Sequence, residues 1–312
     1  MKRILVTGAN GQIGSELVLL LREHYGDDNV IATDISETSK NDGLYEKLDV
    51  MDYDRFLELA KKYEVDSIIH LAALLSYKAE QNPVAAFDLN IGGLLNSLEV
   101  AKELKAQHFS PSSIGAFGPS SPLVDTPQVT IQRPTTMYGI TKVTGELLGD
   151  YYHQKFGVDT RSIRFPGLIS YKTAPGGGTT DYGVAVYFDA IKDKKSVCYL
   201  KPDTKLDMMY MPDALNAIID LMEANGDDLI HRNAYNISAM SVTPKDFEES
   251  IKKIIPEFEI IYEVDPVRQA IADSWPDKMD IHWAQEEFNF IYFYDMDAMT
   301  KDMLENLKKA SD

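Results

Sequence analysis

Tyr138 and Lys142, in the stretch YGITK, place a phenol and an ammonium four residues apart. On a helix this spacing puts both side chains on one face, so they can contact the same bound molecule. A phenol that gives up its proton can act as a general base. The same spacing recurs at Tyr151 and Lys155 in YYHQK, so spacing alone does not distinguish a catalytic pair from two neighbouring surface side chains.

A glycine-rich turn near the start of the chain is typical of a nucleotide site. TGANGQIG places Gly8, Gly11 and Gly14 after the apolar run RILVT and at the start of a helical pattern. Such a turn lets the backbone approach a pyrophosphate, and the helix N-terminus offers amide donors. Glycines also serve ordinary tight turns, but Asp34 ends the next predicted strand. A carboxylate there accepts hydrogen bonds from a ribose and repels a 2′-phosphate, which favours NAD over NADP.

Composition narrows the classes of partner. The chain has 312 residues and a formal net charge of −18, whereas nucleic-acid and anionic-membrane surfaces require a basic footprint. Its one cysteine, Cys198, excludes an internal disulfide and a thiolate zinc cluster. The start has no signal-peptide pattern and the chain has no membrane-spanning apolar run. We therefore expect a cytoplasmic protein with a small-molecule partner.

Short apolar runs alternate with segments of helical period through the first half of the chain. RILVT, NVIATD, DSIIHLAA, HFSPSS and DTRSIRFPG are predicted strands, separated by longer amphipathic segments. This alternation predicts an α/β fold with a parallel sheet covered on both faces. We expect a nucleotide-binding domain over residues 1–170 and a smaller substrate-binding lobe over 171–312, with about 207–238 returning to the first domain.

In an open α/β sheet, ligands bind outside the carboxyl ends of the strands. Two further segments fall at such ends: Asp49 and Val50 in LDV, and Leu71, Ala72 and Ala73 in HLAA. Each of these residues also fits an ordinary helix cap or a small residue at a packed turn. Together with the glycine turn they converge on one crevice.

Several motifs along the whole chain resemble one family. TGANGQIG, HLAA, Asn90 in DLNIGGLLN, SPSSIGAFG, YGITK and RFPG are similar in order and spacing to the extended short-chain dehydrogenase/reductase family, which includes NDP-sugar epimerases. Within it, PSSIGAFGP, RFPGLIS, PGGGTTDYG and DSWP look like the short-chain type of L-threonine 3-dehydrogenase. The resemblance implies a Rossmann doubly wound parallel sheet with a smaller C-terminal lobe.

The resemblance implies a catalytic role for Ser113, Tyr138 and Lys142. Tyr151 lies 13 residues after Tyr138, a rotation of roughly 220° on a helix, so Tyr151 and Lys155 are interpreted as the ordinary surface pair. Lys142 and an oxidised nicotinamide are expected to lower the pKa of the Tyr138 phenol. Ser113 would hold the substrate oxygen. The implied NAD-binding residues are Gly8, Asn10, Gly11, Gln12, Ile13, Gly14, Asp34, Asp49, Val50, Leu71, Ala72, Ala73, Asn90, Tyr138, Lys142 and Pro166.

Two substrate classes compete within this family. Sugar-nucleotide members usually have asparagine where this chain has Gly167, and arginines further on, whereas only Arg232 and Arg268 follow Arg164 here. A diphosphate requires cationic or bidentate partners, so a small hydroxy compound is favoured. A non-catalytic NAD-binding regulator is a further alternative, because fold does not fix function.

If the resemblance holds, the substrate is L-threonine, oxidised at its β-hydroxyl to 2-amino-3-oxobutanoate. The implied substrate-binding residues are Ser76, Ser113, Tyr138, Thr179 and Trp275, with Asp181 and Tyr182 as neighbours of the site. By residue type alone, Ser76 equally fits a solvated loop and Trp275 a core aromatic. No metal site is expected, because the six histidines show no ligand spacing and the zinc type of threonine dehydrogenase needs more cysteines.

Three expectations concern the periphery of the site. Gly176, Gly177 and Gly178 suggest a mobile flap. The segment DIHWAQEEFNFIYFYD departs from the family pattern, with Gln285 in place of an arginine and Phe288 and Phe290 as its aromatic pair, which is expected to repack the lobe or alter closure of Trp275. The resemblance implies a homodimer formed as a four-helix bundle from helices around 82–105 and 137–156, with Leu94, Leu98, Leu147 and Leu148 available to that interface or to the sheet.

Overall fold

The protein is described by a computed structural model that covers residues 1–311. Its strands are β1 (Ile4–Thr7), β2 (Val30–Asp34), β3 (Tyr45–Lys47), β4 (Ser67–His70), β5 (Gln107–Phe109), β6 (Ser112–Ser113), β7 (Thr160–Phe165), β8 (Gly167–Ile169), β9 (Lys195–Cys198), β10 (Leu206–Tyr210), β11 (Asn233–Asn236), β12 (Met240–Val242) and β13 (Glu259–Tyr262). Its α-helices are α1 (Gln12–Tyr25), α2 (Tyr53–Lys62), α3 (Ser76–Gln81), α4 (Pro83–Phe87), α5 (Gly93–Leu104), α6 (Met137–Phe156), α7 (Tyr182–Lys192), α8 (Met211–Glu223), α9 (Pro244–Lys252), α10 (Pro266–Ala272), α11 (His282–Phe288) and α12 (Met296–Ser311).

The large sheet is parallel and has the order β11-β7-β5-β4-β1-β2-β3, with the short β6 also paired to β7. Its central strands are buried apolar runs, and Ile4, Leu5 and Val6 have no exposed surface. Burial on both faces is what a parallel sheet between helices requires. The predicted Rossmann doubly wound fold is confirmed. The strand order reverses between β1 and β4, which opens a crevice at their carboxyl ends.

The C-terminal part of the chain builds two small sheets, β12-β10-β8 and β13-β9. Helices α7, α9 and α12 pack together beside them around a second apolar core. Residues in the middle of this part join the large sheet instead, because β11 pairs with β7 and α8 packs against α1. The assignment of cofactor and substrate to separate domains stays a prediction.

Helices α5 and α6 pack side by side. Leu94 and Leu98 on α5 are buried in a core cluster of the chain itself, so these two residues belong to the core and not to a surface. Leu147 on α6 is 63% exposed. Tyr151 and Lys155 are exposed as well, in agreement with their interpretation as a surface pair.

The unusual segment near the C-terminus packs against the Rossmann core. Phe288 and Phe290 are buried in the same cluster as Ile4 and Val6 of β1, whereas Trp275 is buried in the core of the smaller sheets. The segment therefore lies in a different core from Trp275. Within residues 1–311, no helix combines the length and the apolar character needed to cross a membrane.

Candidate active site

Ser113, Tyr138 and Lys142 converge on one cleft. Ser113 ends β6, and the other two lie in the first turns of α6, which begins behind the N-cap Thr136. The Thr136 hydroxyl accepts a hydrogen bond from Gly139 N at 3.1 Å. The cleft has an empty volume of about 780 Å³, which includes space open to solvent. The predicted residues that line it are Gln12, Ile13, Leu71, Ala73, Ser76, Ser113, Tyr138, Lys142, Pro166, Thr179 and Trp275.

The Tyr138 phenol is buried at the base of the cleft, with 9% of the residue exposed. Burial raises its pKa to about 12, and a hydrogen bond with Ser113 opposes that rise. The expectation that Lys142 and an oxidised nicotinamide together lower this pKa stays a prediction. The Ser113 hydroxyl is itself held by Gly115 N, which donates to Oγ at 3.0 Å.

The Lys142 ammonium is held between the strand end and the phenol. Its Nζ donates to the carbonyl of Pro111 at 2.7 Å and lies 5.3 Å from the centroid of the Tyr138 ring. Burial lowers its pKa to about 8, while the negative charge of Glu146 raises it. The ammonium therefore carries its charge at neutral pH, although burial makes that charge costly.

Glu146 is a supporting residue that the sequence analysis missed. Its carboxylate is buried and accepts from Arg164 Nε at 2.9 Å and Nη2 at 2.8 Å, from Gln132 Nε2 at 2.7 Å, and from the Ser112 hydroxyl. A bidentate ion pair of this kind fixes geometry as well as charge. It ties α6 to the strand residue next to Ser113. The sequence did contain an indication of this role, because Glu146 follows Lys142 by four residues and so lies on the same helical face.

The backbone of the glycine turn is packed too closely to leave room for side chains at its glycines. Gly8 has φ +66°, and a Cβ there would lie 2.8 Å from Ala72 N. A Cβ on Gly14 would lie 2.3 Å from the carbonyl oxygen of Gly8, and one on Gly11 would lie 3.1 Å from the same oxygen. The adjoining Gln12 side chain has a buried Nε2 without a hydrogen-bond partner in the described chain. A backbone that approaches this closely, with an unpaired amide beside it, fits a bound pyrophosphate.

Asp34 lies at the end of β2 and closes the adjoining loop. Its carboxylate accepts from Asn10 N at 3.0 Å and from the Ser36 hydroxyl at 3.0 Å. The Asn10 side chain in turn accepts from Lys40 N at 2.8 Å. Ser36 N also donates to the Asp34 carboxylate, at 3.2 Å. A carboxylate has about four acceptor positions, so Asp34 retains capacity for about one further donor, such as a ribose hydroxyl.

The remaining strand-end residues have mixed surroundings. Asp49 is exposed and its carboxylate accepts from Met51 N at 2.9 Å, as in an ordinary turn. Val50 is buried against Gly93, where an added Cβ would lie 2.8 Å from Val50 Cγ2. Leu71 and Ala73 face the cleft, and Ala72 packs on Gly8. Cofactor contacts by Asp49 and Val50 stay predictions.

Asn90 lies in a π-helical segment, Asp88–Gly92, between α4 and α5. Its side chain accepts from Leu74 N at 2.8 Å and donates to Leu74 O at 3.1 Å and to the Thr141 hydroxyl at 3.2 Å. These bonds tie the loop after β4 to α6. The structure thus gives Asn90 a positioning role, and its direct contact with a cofactor stays a prediction.

The end of the cleft that is predicted to bind substrate joins two parts of the chain that are distant in sequence. The Ser76 hydroxyl lies 3.2 Å from Thr179 Oγ1 and accepts from Thr179 N at 3.2 Å. Both residues are almost fully buried, so Ser76 is not a solvated loop hydroxyl. Trp275 closes the wall, with Cζ2 3.4 Å from where a Cβ of Gly115 would lie.

Asp181 and Tyr182 differ in their relation to the cleft. Asp181 lines it, and its carboxylate accepts from Gly177 N at 2.7 Å and Gly178 N at 2.9 Å. The predicted flap is therefore fastened by a carboxylate. Tyr182 packs edge-on against Tyr199 and Phe247 in the core behind the cleft.

The chain is similar to known proteins in sequence and in structure. Residues 4–238 match the NAD dependent epimerase/dehydratase family. The chain is 57% identical to an uncharacterised epimerase/dehydratase of Staphylococcus saprophyticus over 99% of this chain and 98% of that protein. It is 60% identical to L-threonine dehydrogenase from Clostridium difficile, with a TM-score of 0.97 over 99% and 98% of the two chains. A monomeric L-threonine 3-dehydrogenase from a metagenome is 42% identical, with a TM-score of 0.97 over 99% and 100%.

Proposed function

The chain belongs to the NAD dependent epimerase/dehydratase family, and from that premise we propose that it oxidises the β-hydroxyl of L-threonine to 2-amino-3-oxobutanoate. One observation carries the proposal. Ser113, Tyr138 and Lys142 share a cleft with the Ser76 and Thr179 pair, so a proton acceptor and polar groups suited to an amino acid face the same space. Similar proteins named L-threonine dehydrogenases support the choice of substrate.

Several groups of residues in the chain would bind the cofactor. NAD would be held by the glycine turn with Gln12 and Ile13, by Asp34 at the adenosine ribose, by Lys142 at the nicotinamide ribose, and by Pro166 at the carboxamide. The close approach at Gly8 and Gly14 and the unpaired Gln12 amide fit such a group. Bound NAD supplies the acceptor for the hydride that leaves the β-carbon.

The protein's part in the chemistry is proton transfer. Tyr138 takes the proton of the β-hydroxyl, so the O–H bond breaks as the carbonyl forms. Ser113 holds the reacting oxygen by a hydrogen bond, and the Lys142 charge favours the phenolate. Burial raises the Tyr138 pKa to about 12 even with the opposing Ser113 hydrogen bond. Additional positive charge close to the ring is therefore needed for the phenol to act near neutrality.

The cleft's charge favours an amino acid over a sugar nucleotide. Among the described residues that line it, Lys142 is the one cation and no arginine is present. A diphosphate buried there would lack its usual cationic partners. The amino acid would be held by Ser76, Thr179 and Trp275, with residues 171–312 supplying most of the substrate lobe.

A substrate panel tests the proposal. NADH formation is measured at 340 nm by absorbance with NAD and, separately, L-threonine, L-allo-threonine and UDP-galactose. We expect NADH with L-threonine, lost in Tyr138→Phe and retained in the matched surface variant Tyr151→Phe. Conversion of UDP-galactose without net NADH would instead identify an epimerase. NAD binding without turnover of any substrate would favour a non-catalytic regulator.

We also propose a homodimer formed as a four-helix bundle from the helices around 82–105 and 137–156. Exposed apolar side chains on these helices support it: Val84 is 70% exposed, Ile140 41% and Leu147 63%. A row of such residues is costly to leave in water and is typical of an association surface. One similar protein is described as monomeric, so the oligomeric state requires its own measurement.

A further inference from the structure

Arg268 on α10 lies between two tyrosine rings. Its Cζ is 4.3 Å from the centroid of Tyr77 and 4.1 Å from the centroid of Tyr199. The Nε atom is buried and makes no hydrogen bond within the described chain. A planar guanidinium is attracted to the face of an aromatic ring, and one placed between two rings holds both. We call these three residues the Arg268 clamp.

Each ring of the clamp adjoins one half of the Ser76 and Thr179 pair. Tyr77 follows Ser76 in α3. The Tyr199 hydroxyl donates to the carbonyl of Thr179 at 3.0 Å and accepts from Tyr182 N at 3.0 Å. The clamp therefore connects the start of α3 with the loop that carries Thr179.

The Ser76 and Thr179 pair needs such support. These residues are 103 positions apart, and the two hydrogen bonds that join them are both 3.2 Å long, towards the long end of the normal range. The adjacent loop contains Gly176, Gly177 and Gly178, and Gly177 has φ +108°. Glycines give this backbone more freedom than other residues would, so contacts from outside the loop add to the bonds that Asp181 makes within it.

We propose that Arg268 is a positioning residue for substrate binding. By stacking on Tyr77 and Tyr199 it sets the separation of the Ser76 and Thr179 hydroxyls across the cleft. Arg268 does not line the cleft, so it acts through these two residues. The identity of the ligand as L-threonine rests on the function proposed above, whereas the mechanical link between the clamp and the loop does not.

Kinetic analysis of clamp variants tests this role. Tyr77→Leu and Arg268→Met remove stacking, and Tyr77→Phe retains it. The control is Lys102→Met, which removes a cation 4.8 Å from the ring of Phe156, the last residue of α6. We expect the KM for L-threonine to rise about 3-fold to 30-fold in the first two variants, with kcat and the Kd of NAD nearly unchanged. Tyr77→Phe, which retains the aromatic ring, should keep the wild-type KM.

Hydrogen exchange separates this inference from the proposed function. In Tyr77→Leu and Arg268→Met, amides of residues 176–182 should exchange faster, while those of β1 and α6 keep their rates. Faster exchange in a protein that makes no NADH from L-threonine would support the clamp and refute the proposed substrate. An unchanged KM together with unchanged exchange would overturn the inference. Equal losses of NAD affinity and kcat would also overturn it, because they would indicate a general structural role.

Discussion

Replacement of Lys142 by methionine should stabilise the protein while it inactivates the site. The Lys142 pKa falls from 10.5 to about 8 on burial, a difference of about 2.5, and each pK unit corresponds to about 1.4 kcal/mol. Keeping the ammonium charged thus costs about 3 kcal/mol of folding free energy, reduced by the partial exposure of the side chain. Loss of the bond to Pro111 O removes about 1 kcal/mol. The net gain for Lys142→Met at pH 7 is about 1 to 2 kcal/mol.

The stabilisation expected for Lys142→Met depends on pH. Below pH 8 the folded and unfolded wild-type proteins both carry the ammonium, so the full cost is present. Between about pH 8 and 10.5 the folded protein loses its proton first, and wild-type stability rises relative to the variant. The measurement is urea unfolding at pH 7 and pH 9.5, with the exposed Lys155→Met on the same helix expected within about 0.5 kcal/mol of wild type. Destabilisation of Lys142→Met at pH 7, or a difference independent of pH, would refute this reasoning.

Three further predictions concern the cofactor turn, the base and the surface. Because the Tyr138 pKa is raised to about 12 and the phenolate is the active form, kcat/KM for L-threonine should rise with pH across the neutral range. Ser113→Ala removes a bond that lowers this pKa, so stopped-assay pH profiles should show its rise at higher pH, and an unshifted profile would contradict the assigned bond. Gly14→Ala places a Cβ 2.3 Å from Gly8 O and should weaken NAD binding at least about tenfold by fluorescence titration; an unchanged Kd would remove the turn from the cofactor site. Leu147→Glu should halve the mass seen by sedimentation without lowering the free energy of unfolding of the monomer, whereas a monomeric wild-type protein would contradict the proposed dimer.

Most of the fold could be predicted from local patterns in the sequence. Continuous apolar runs such as RILVT are typical of strands buried on both faces, and the structure places β1 at the centre of a parallel sheet. The glycine turn, Asp34 and the start of α6 were also predictable, because each is defined by residues close together in sequence.

Contacts between distant residues were not predictable in this way. The Ser76 and Thr179 pair spans 103 positions, and the Glu146 and Arg164 ion pair depends on how α6 crosses β7. The family resemblance implied that Asn90 contacts the cofactor, and that stays a prediction, but its bonds to Leu74 and Thr141 could not be foreseen. The sequence shows which polar groups are present, whereas packing decides which of them form hydrogen bonds with one another.

The Tyr138 pKa shows the same limit for electrostatics. A neighbouring ammonium was expected to lower it, but the direction depends on how completely the phenol is buried. In the structure the balance is set by burial, which raises the Tyr138 pKa and lowers the Lys142 pKa. That balance follows from three-dimensional packing and not from spacing along α6.

Transfer of isotope from the substrate carbon tests the central claim most directly. L-Threonine carrying deuterium at its β-carbon is incubated with NAD and the purified protein, and the NADH formed is analysed by mass spectrometry. Direct oxidation at that carbon predicts NADH one mass unit heavier, formed together with 2-amino-3-oxobutanoate and absent with Tyr138→Phe. Unlabelled NADH, or no NADH from L-threonine, would contradict the account.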